Sequence, residues 1–404
     1  MSDRWLHRFA VLTSLATLGL LSIGGLVTSH GVGMAVPDWP NTYGYNMFFF
    51  PVSQWVGGIF YEHTHRLAAS LVGLLTTILA LWLYGRNARP LMRWIGLPLL
   101  VLGVATWVGM PRRWADGVVL AGTGLSLFGA SFVWPRCEPS VKWLRRCGLA
   151  AFFAVVLQGV LGGLRVVLFK DAIGIFHATL AQLFFILVCA IALFTSEWWR
   201  NLPAPKPVAL NNRLSLFFIA TSLLILAQLV LGATMRHQHA GLAIPDFPLA
   251  YGKLWPAMDP ASVERYNQHR LEIISVNPIT AFQIGLQMVH RILAVVIFGA
   301  VASCAWAARR RLGKENLLSK LALAWAGLIF TQVLLGALTI WSDKAADIAT
   351  LHVLVGALSL AVGAFLSIVS LRILMAAPRV SDSLAAAPVL PQPPLVAHGA
   401  GGYK

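Results

Sequence analysis

Two stretches of this chain place a polar or ionisable group, a histidine and an arginine at helical spacing: Glu62-His63-Thr64-His65-Arg66 and Gln287-Met288-Val289-His290-Arg291. Residues 62 and 65, like 287 and 290, are three apart and share one helix face. Two more histidines stand in matched surroundings, Phe176-His177-Ala178 and Leu351-His352-Val353. All four histidines lie at or within long apolar runs, where an ionisable group is costly and is a functional candidate by default. Two imidazoles at one depth on two helices are what a heme iron needs for ligation from both faces. Zinc is disfavoured, because the later pair has no Cys, Asp or Glu to complete a tetrahedral set. Glu62 breaks the match. A partly desolvated carboxylate beside a ligating histidine is suited to accept a proton or stabilise charge, and the amide of Gln287 is not; a capping group favoured by the helix dipole is the alternative reading. Arg66 and Arg291 are placed to pair with porphyrin propionates or to snorkel to lipid headgroups.

The elements that carry these residues follow from composition. Of 404 residues, 58% are hydrophobic and 11% charged, more apolar surface than a soluble core can bury. Ten apolar segments are long enough to cross a bilayer, which takes about 17–25 residues: 9–29, 65–84, 94–111, 117–135, 147–168, 173–195, 213–235, 283–307, 318–341 and 349–374. The chain reads as an all-α multi-pass membrane protein in the lipid bilayer. Its net charge of +16 does not indicate nucleic acid, because Lys and Arg fall in short clusters between the apolar runs. Those clusters alternate in density along the chain, and the positive-inside bias sets both termini on the cytoplasmic side. The first apolar run continues into Thr-Ser-His-Gly without a small-residue cleavage site and reads as a span. The four cysteines form no CxxC pair, which leaves a disulfide or zinc site without support.

With that orientation, two long outer loops, 30–61 and 236–282, hold the clearest internal repeat. Gly33-Met-Ala-Val-Pro37-Asp38-Trp39-Pro40-Asn-Thr-Tyr43-Gly44 matches Gly241-Leu-Ala-Ile-Pro245-Asp246-Phe247-Pro248-Leu-Ala-Tyr251-Gly252 at an offset of 208. The offset is 225 between His65 and His290 but 174 between Gln158 and Gln332, so the first half holds 51 extra residues between them. That length is a helical hairpin, and it coincides with the weak spans near 92–136. The organisation expected is therefore a duplicated four-helix bundle. An amino-terminal half, 1–195, carries the inserted hairpin; a cytoplasmic linker, 196–212, joins it to a carboxy-terminal half, 213–375, and a disordered tail, 376–404. Each half has an even number of crossings, so the two are related by an axis along the membrane normal.

Smaller expectations complete the reading. Gly159, Gly162, Gly163 and Gly336 permit close approach of helices or of a flat ring. Asp38 and Asp246 read as turn-forming groups. His63, His237, His239 and His269 have no partner in the repeat and read as loop residues.

The Pro-Asp-Trp-Pro loop, Glu-x-x-His-Arg at 62–66, His-Arg at 290–291, and His177 and His352 on later spans together resemble the heme A synthase family. The resemblance covers most of residues 9–374. It implies oxidation of the C8 methyl of heme O to a formyl group, in the cell inner membrane. It implies that the first half holds the heme O substrate near Glu62, His65 and His177, and that the second holds a permanent heme b between His290 and His352. Many bacterial members carry a cysteine pair in the first outer loop; this chain has none there. The hairpin is open to three readings: a packing element, a docking surface for heme O synthase, or a mark of altered activity. A homo-oligomer is equally open. Two other classes compete, a diheme b-type cytochrome for electron transfer and a heme-binding assembly factor.

Overall fold

A computed structural model describes residues 3–202, 212–269 and 278–375. The expected tail, 376–404, most of the linker, 203–211, and residues 270–277 of the second loop lie outside the described residues. The long helices are α1 (Asp3–Ser29), α2 (Gly57–Tyr84), α3 (Ala88–Gly109), α4 (Trp114–Val133), α5 (Lys142–Leu168), α6 (Asp171–Thr195), α8 (Asn212–His237), α10 (Ala281–Leu312), α11 (Leu317–Trp341) and α12 (Ala346–Met375); α7 (Glu197–Arg200) and α9 (Pro260–Gln268) are short. Among the described residues, nine continuous helical stretches are long and apolar enough to cross a membrane. One of these, Gly57–Gly109, is α2 and α3 joined by a single 3-10 turn at Gly85–Asn87. The chain is an all-α integral membrane protein, and the ten expected segments each fall on a helix.

Helices dominate because in lipid every backbone polar group must be satisfied within its own segment. Side-chain hydroxyls obey the same constraint. Thr13 donates to the Phe9 carbonyl at 2.8 Å, Thr76 to Val72 at 2.7 Å and Ser359 to Val355 at 2.8 Å, each folding back onto its own helix. Two apolar clusters form the interior. One gathers Leu6 and Ala10 of α1, Leu79 and Leu83 of α2, Ala151 of α5 and Val188 of α6. The other gathers Phe218 of α8, Val301 of α10, Trp325 of α11 and Leu366 of α12. At the end where the long loops lie, α1 also meets α8 and α12: Arg236 donates to the Gly25 carbonyl at 2.8 Å and to Ser29 Oγ at 2.7 Å, and Ser29 Oγ lies 3.2 Å from Thr350 Oγ1.

Several boundaries differ from expectation. Helix α2 begins at Gly57 rather than 65, so Glu62 and His65 lie in its second and third turns and not at its mouth. The cause is the first loop, which folds over this stretch and buries Glu62 and His63, letting polar residues occupy a helix interior. The hairpin helices likewise start and end a few residues from the apolar limits, at Ala88 and Val133.

Helices α3 and α4 pack on each other through glycine. A Cβ on Gly96 would meet the Phe128 nitrogen at 2.6 Å, and one on Gly117 the Trp107 nitrogen at 2.5 Å; Gly103 and Gly124 lie as close to the backbone at Ala121 and Leu100. Such contact leaves room for no side chain, and packing of this kind drives helix pairing where the hydrophobic effect is absent. The hairpin touches the first loop through Asn46 Nδ2, which donates to Asp116 Oδ1 at 2.8 Å, and through the Phe49–Trp114 ring pair. Gly103→Val is expected to separate α3 from α4, lowering the thermal midpoint of the purified protein by several degrees and exposing the 110–113 turn to protease. Unchanged proteolysis and midpoint would show that the pair does not rest on these glycines.

Candidate functional site

The two long loops approach the helices through matching sets of bonds. In the first, Asp38 accepts from the Tyr43 and Gly44 amides, each at 2.8 Å; in the second, Asp246 accepts from Tyr251 at 2.7 Å and Gly252 at 2.8 Å. Both aspartates thus form turns, as their Pro-Asp context predicts. Tyr43 and Tyr251 close the same turns by donating to the Ala35 and Ala243 carbonyls.

Each turn is fastened to a helix at residue 62 or 287. Gln287 satisfies both backbone groups of Ile244, accepting its N–H at 2.7 Å and donating to its carbonyl at 3.2 Å. Glu62 accepts the Val36 N–H at 2.8 Å but, as a carboxylate, has nothing to donate. Arg66 supplies the missing donor: Nη2 bonds the Val36 carbonyl at 2.9 Å and Glu62 Oε1 at 2.8 Å. A neutral amide in one place is therefore an ion pair in the other, with both side chains largely buried. Arg66 Nη1 donates to the Asp38 and Asn41 carbonyls at 2.8 and 2.9 Å, and Arg291 bonds the corresponding Asp246 and Leu249 carbonyls at 2.7 and 2.9 Å.

The four histidines occupy matching seats. The Cε1 of His65 lies 3.0 Å from where a Cβ on Gly24 would be; the same distance is 3.4 Å for His177 on Gly162, 3.5 Å for His290 on Gly232 and 3.3 Å for His352 on Gly336. Each ring thus rests on a glycine of the long helix that precedes it in the bundle. In all four rings Nδ1 is buried without a hydrogen-bond partner, a cost that calls for an explanation in a folded protein. His65 and His177 lie in electrostatic range of each other, as do His290 and His352. Among the described residues no three His, Cys, Asp or Glu converge. Paired, partly buried imidazoles with uncommitted ring nitrogens fit a group ligated by one histidine from each side, such as heme.

The four histidines and Glu62 singled out from the sequence thus occupy matched places on their helices, while three other residues, His63, His237 and Arg165, were read otherwise or passed over. His63 is no loop residue: it is fully buried in α2, 3.3 Å from Thr42 Oγ1 and ringed by Phe50 and Trp55 at centroid distances of 5.1 and 4.7 Å. It takes the place that buried Met288 takes one residue after Gln287. His237 is buried at the end of α8, against Gly174 of α6. His239 and His269 do lie outside the long helices. Arg165, in the last turn of α5, is in electrostatic range of both His65 and His177. The signal for Arg165 was a lone cation at the end of an apolar run.

The sequence model of the COX15-CtaA family, described as cytochrome oxidase assembly protein, matches residues 106–363, which contain His177, His290 and His352. The chain is similar to the heme A synthase of Geobacillus kaustophilus, 24% identical over 388 residues that cover 94% of this chain and 96% of the relative. It is 31% identical to that of Symbiobacterium thermophilum over 229 residues, 55% of this chain and 66% of the relative. Against the heme A synthase of Lysinibacillus sphaericus, identity is 20% over 352 residues, 87% and 90% of the two chains.

The two loop fastenings differ in what their arginines neutralise. Arg66→Ala strands a buried carboxylate, which typically costs roughly 3–5 kcal/mol, whereas Arg291→Ala removes bonds to carbonyls and a contact with the Phe247 ring but strands no charge. Thermal unfolding in detergent should show a clearly larger loss for Arg66→Ala; equal losses would mean that the Glu62 charge needs no partner.

Proposed function

The chain belongs to the COX15-CtaA family of cytochrome oxidase assembly proteins, and on that premise we propose that it is a heme A synthase, a membrane oxidoreductase that converts the C8 methyl of heme O to a formyl group. The observation that carries this reading is the four matched histidine seats combined with a carboxylate beside only one of them. In this reading the protein divides into two four-helix halves, 1–195, which also carries the inserted α3–α4 hairpin, and 213–375. The first takes heme O between His65 and His177, and the second keeps heme b between His290 and His352. Both termini face the cytoplasm across the cell inner membrane, as the Lys and Arg distribution favours.

A heme held by two histidines supplies one-electron redox chemistry at its iron. The protein supplies position and proton handling. Turning a methyl into a formyl group with oxygen from water gives up four electrons, which must pass to an external acceptor, and four protons, and Glu62 is the carboxylate placed one helical turn before His65 to receive protons. Its two oxygens are held by Arg66 Nη2 and the Val36 N–H, which fixes their direction and leaves each with further acceptor capacity. For propionates, the cations beside the first pair are Arg66, which also holds four loop and helix acceptors, and Arg165, in electrostatic range of both His65 and His177. In the second, Arg291 keeps its Nε buried without a partner and serves that role.

Glu62→Gln is the informative variant, because Gln287 shows that an amide fastens the loop equally well. It should leave the folded protein and its heme content intact while lowering conversion of heme O by about 10²–10⁴-fold, the usual weight of a positioned acid or base. Chromatography of hemes extracted from cells that make heme O measures this; conversion at the wild-type rate removes Glu62 from the chemistry. Separately, His290→Ala and His352→Ala should each deplete heme b from the purified protein, and His65→Ala and His177→Ala should deplete heme O and heme A. Recovery of heme b alone from every form, wild type included, would make the protein a diheme cytochrome.

A further inference from the structure

Beneath three of the four histidines lies a second contact that the fourth lacks. Gln158 Nε2 donates to the His177 carbonyl at 3.1 Å, Gln228 Nε2 to the His290 carbonyl at 2.9 Å and Gln332 Nε2 to the His352 carbonyl at 2.9 Å. Each glutamine is four residues before the glycine on which that same histidine rests, giving Gln158/Gly162, Gln228/Gly232 and Gln332/Gly336. One helix turn thus does two things: its glycine seats the ring and its glutamine ties down the backbone that carries the ring. On α1 the glycine is present as Gly24, but the residue four positions earlier is Leu20. Leu20 packs with the apolar cluster of α1, α2, α5 and α6. It cannot donate to the His65 carbonyl, so α1 and α2 have no such polar tie at this level.

Hydrogen bonds between helices in lipid are modest individually, yet they set which helix pair separates most easily. We propose that Leu20 leaves His65 as the releasable ligand, so that heme enters and leaves the His65–His177 site by displacement of α2 from α1, while the glutamines lock both walls of the His290–His352 site. This rests on the reading that the first half takes the substrate and the second keeps a resident heme. A site that must exchange its heme at every turnover is served by one movable wall. A site that must hold its heme is served by two fixed ones. Gln158 and Gln228 act as positioning residues through the histidines they fasten, and Leu20 is the position that distinguishes the two sites.

The test is heme release from the full-length protein loaded with heme O, followed by transfer to excess apomyoglobin. His65→Ala and His290→Ala first identify which site gives the fast phase. The expected fast phase disappears in His65→Ala and persists in His290→Ala. Leu20→Gln should then slow it by roughly three- to tenfold, the effect of one interhelical hydrogen bond, while Leu20→Met, which matches volume without a donor, leaves it unchanged. Gln228→Leu, which gives α8 the residue α1 already carries, should speed loss of the resident heme by a similar factor. Equal rates for Leu20→Gln and Leu20→Met overturn the proposal; if Leu20→Gln does not fold, wild-type heme retention in Gln228→Leu overturns it instead. Loss of the fast phase in His290→Ala rather than His65→Ala overturns both the proposal and the division of roles between the halves. A fast phase at His65 with no response to residue 20 overturns the glutamine argument alone.

Discussion

The carbonyl and N–H of Val36, and those of Ile244, are the backbone groups on which the loop end of this protein depends. Each sits where a loop turns back onto a membrane helix, buried and out of reach of water. An unmade hydrogen bond there costs about 1–3 kcal/mol per group, so each must be met by a side chain from the helix below. Gln287 alone does this for Ile244, and Glu62 together with Arg66 for Val36, from the turns around His65 and His290. The loops are consequently registered to the histidines, and the aspartate turns, the tyrosine closures and the arginine contacts follow from that single point of attachment.

Glycine performs a second service, which differs between parts of the molecule. In α3 and α4 it brings backbone against backbone, and nothing else fits between the helices. At Gly24, Gly162, Gly232 and Gly336 the space is filled by an imidazole from the next long helix. There the missing Cβ fixes how deeply a histidine ring can lie against its neighbour, and therefore how far the ring projects from the helix pair.

Against so close a match, the differences are informative. Glu62 replaces an amide with a charge, His63 replaces the thioether of Met288, and Leu20 replaces the glutamine found at 158, 228 and 332. All three lie on α1 and α2. Two of them make the surroundings of His65 more polar or more charged, and the third removes a tie between helices. One histidine pair is thus bordered by a carboxylate, an imidazole and an apolar residue where the other has amides and a thioether.

Much of this was legible in the sequence because its determinants are local. Apolar length sets the spans, Pro-Asp followed by Tyr-Gly sets the loop turns, and a histidine that recurs at matched positions in apolar runs stands out without any structure. Charge also showed that residues 62 and 287 differ. Tertiary structure decided what the sequence left undetermined. A loop covering α2 moved its start to Gly57 and turned His63 from an apparent loop residue into a core one. The pairing of Gln228 with His290, and its absence at Leu20, depends on helices far apart in the chain lying side by side. Whether Arg66 faces a ligand or a carbonyl likewise depends on where the loop lands. Local periodicity reports which way a side chain points from its own helix; only packing reports what it meets there.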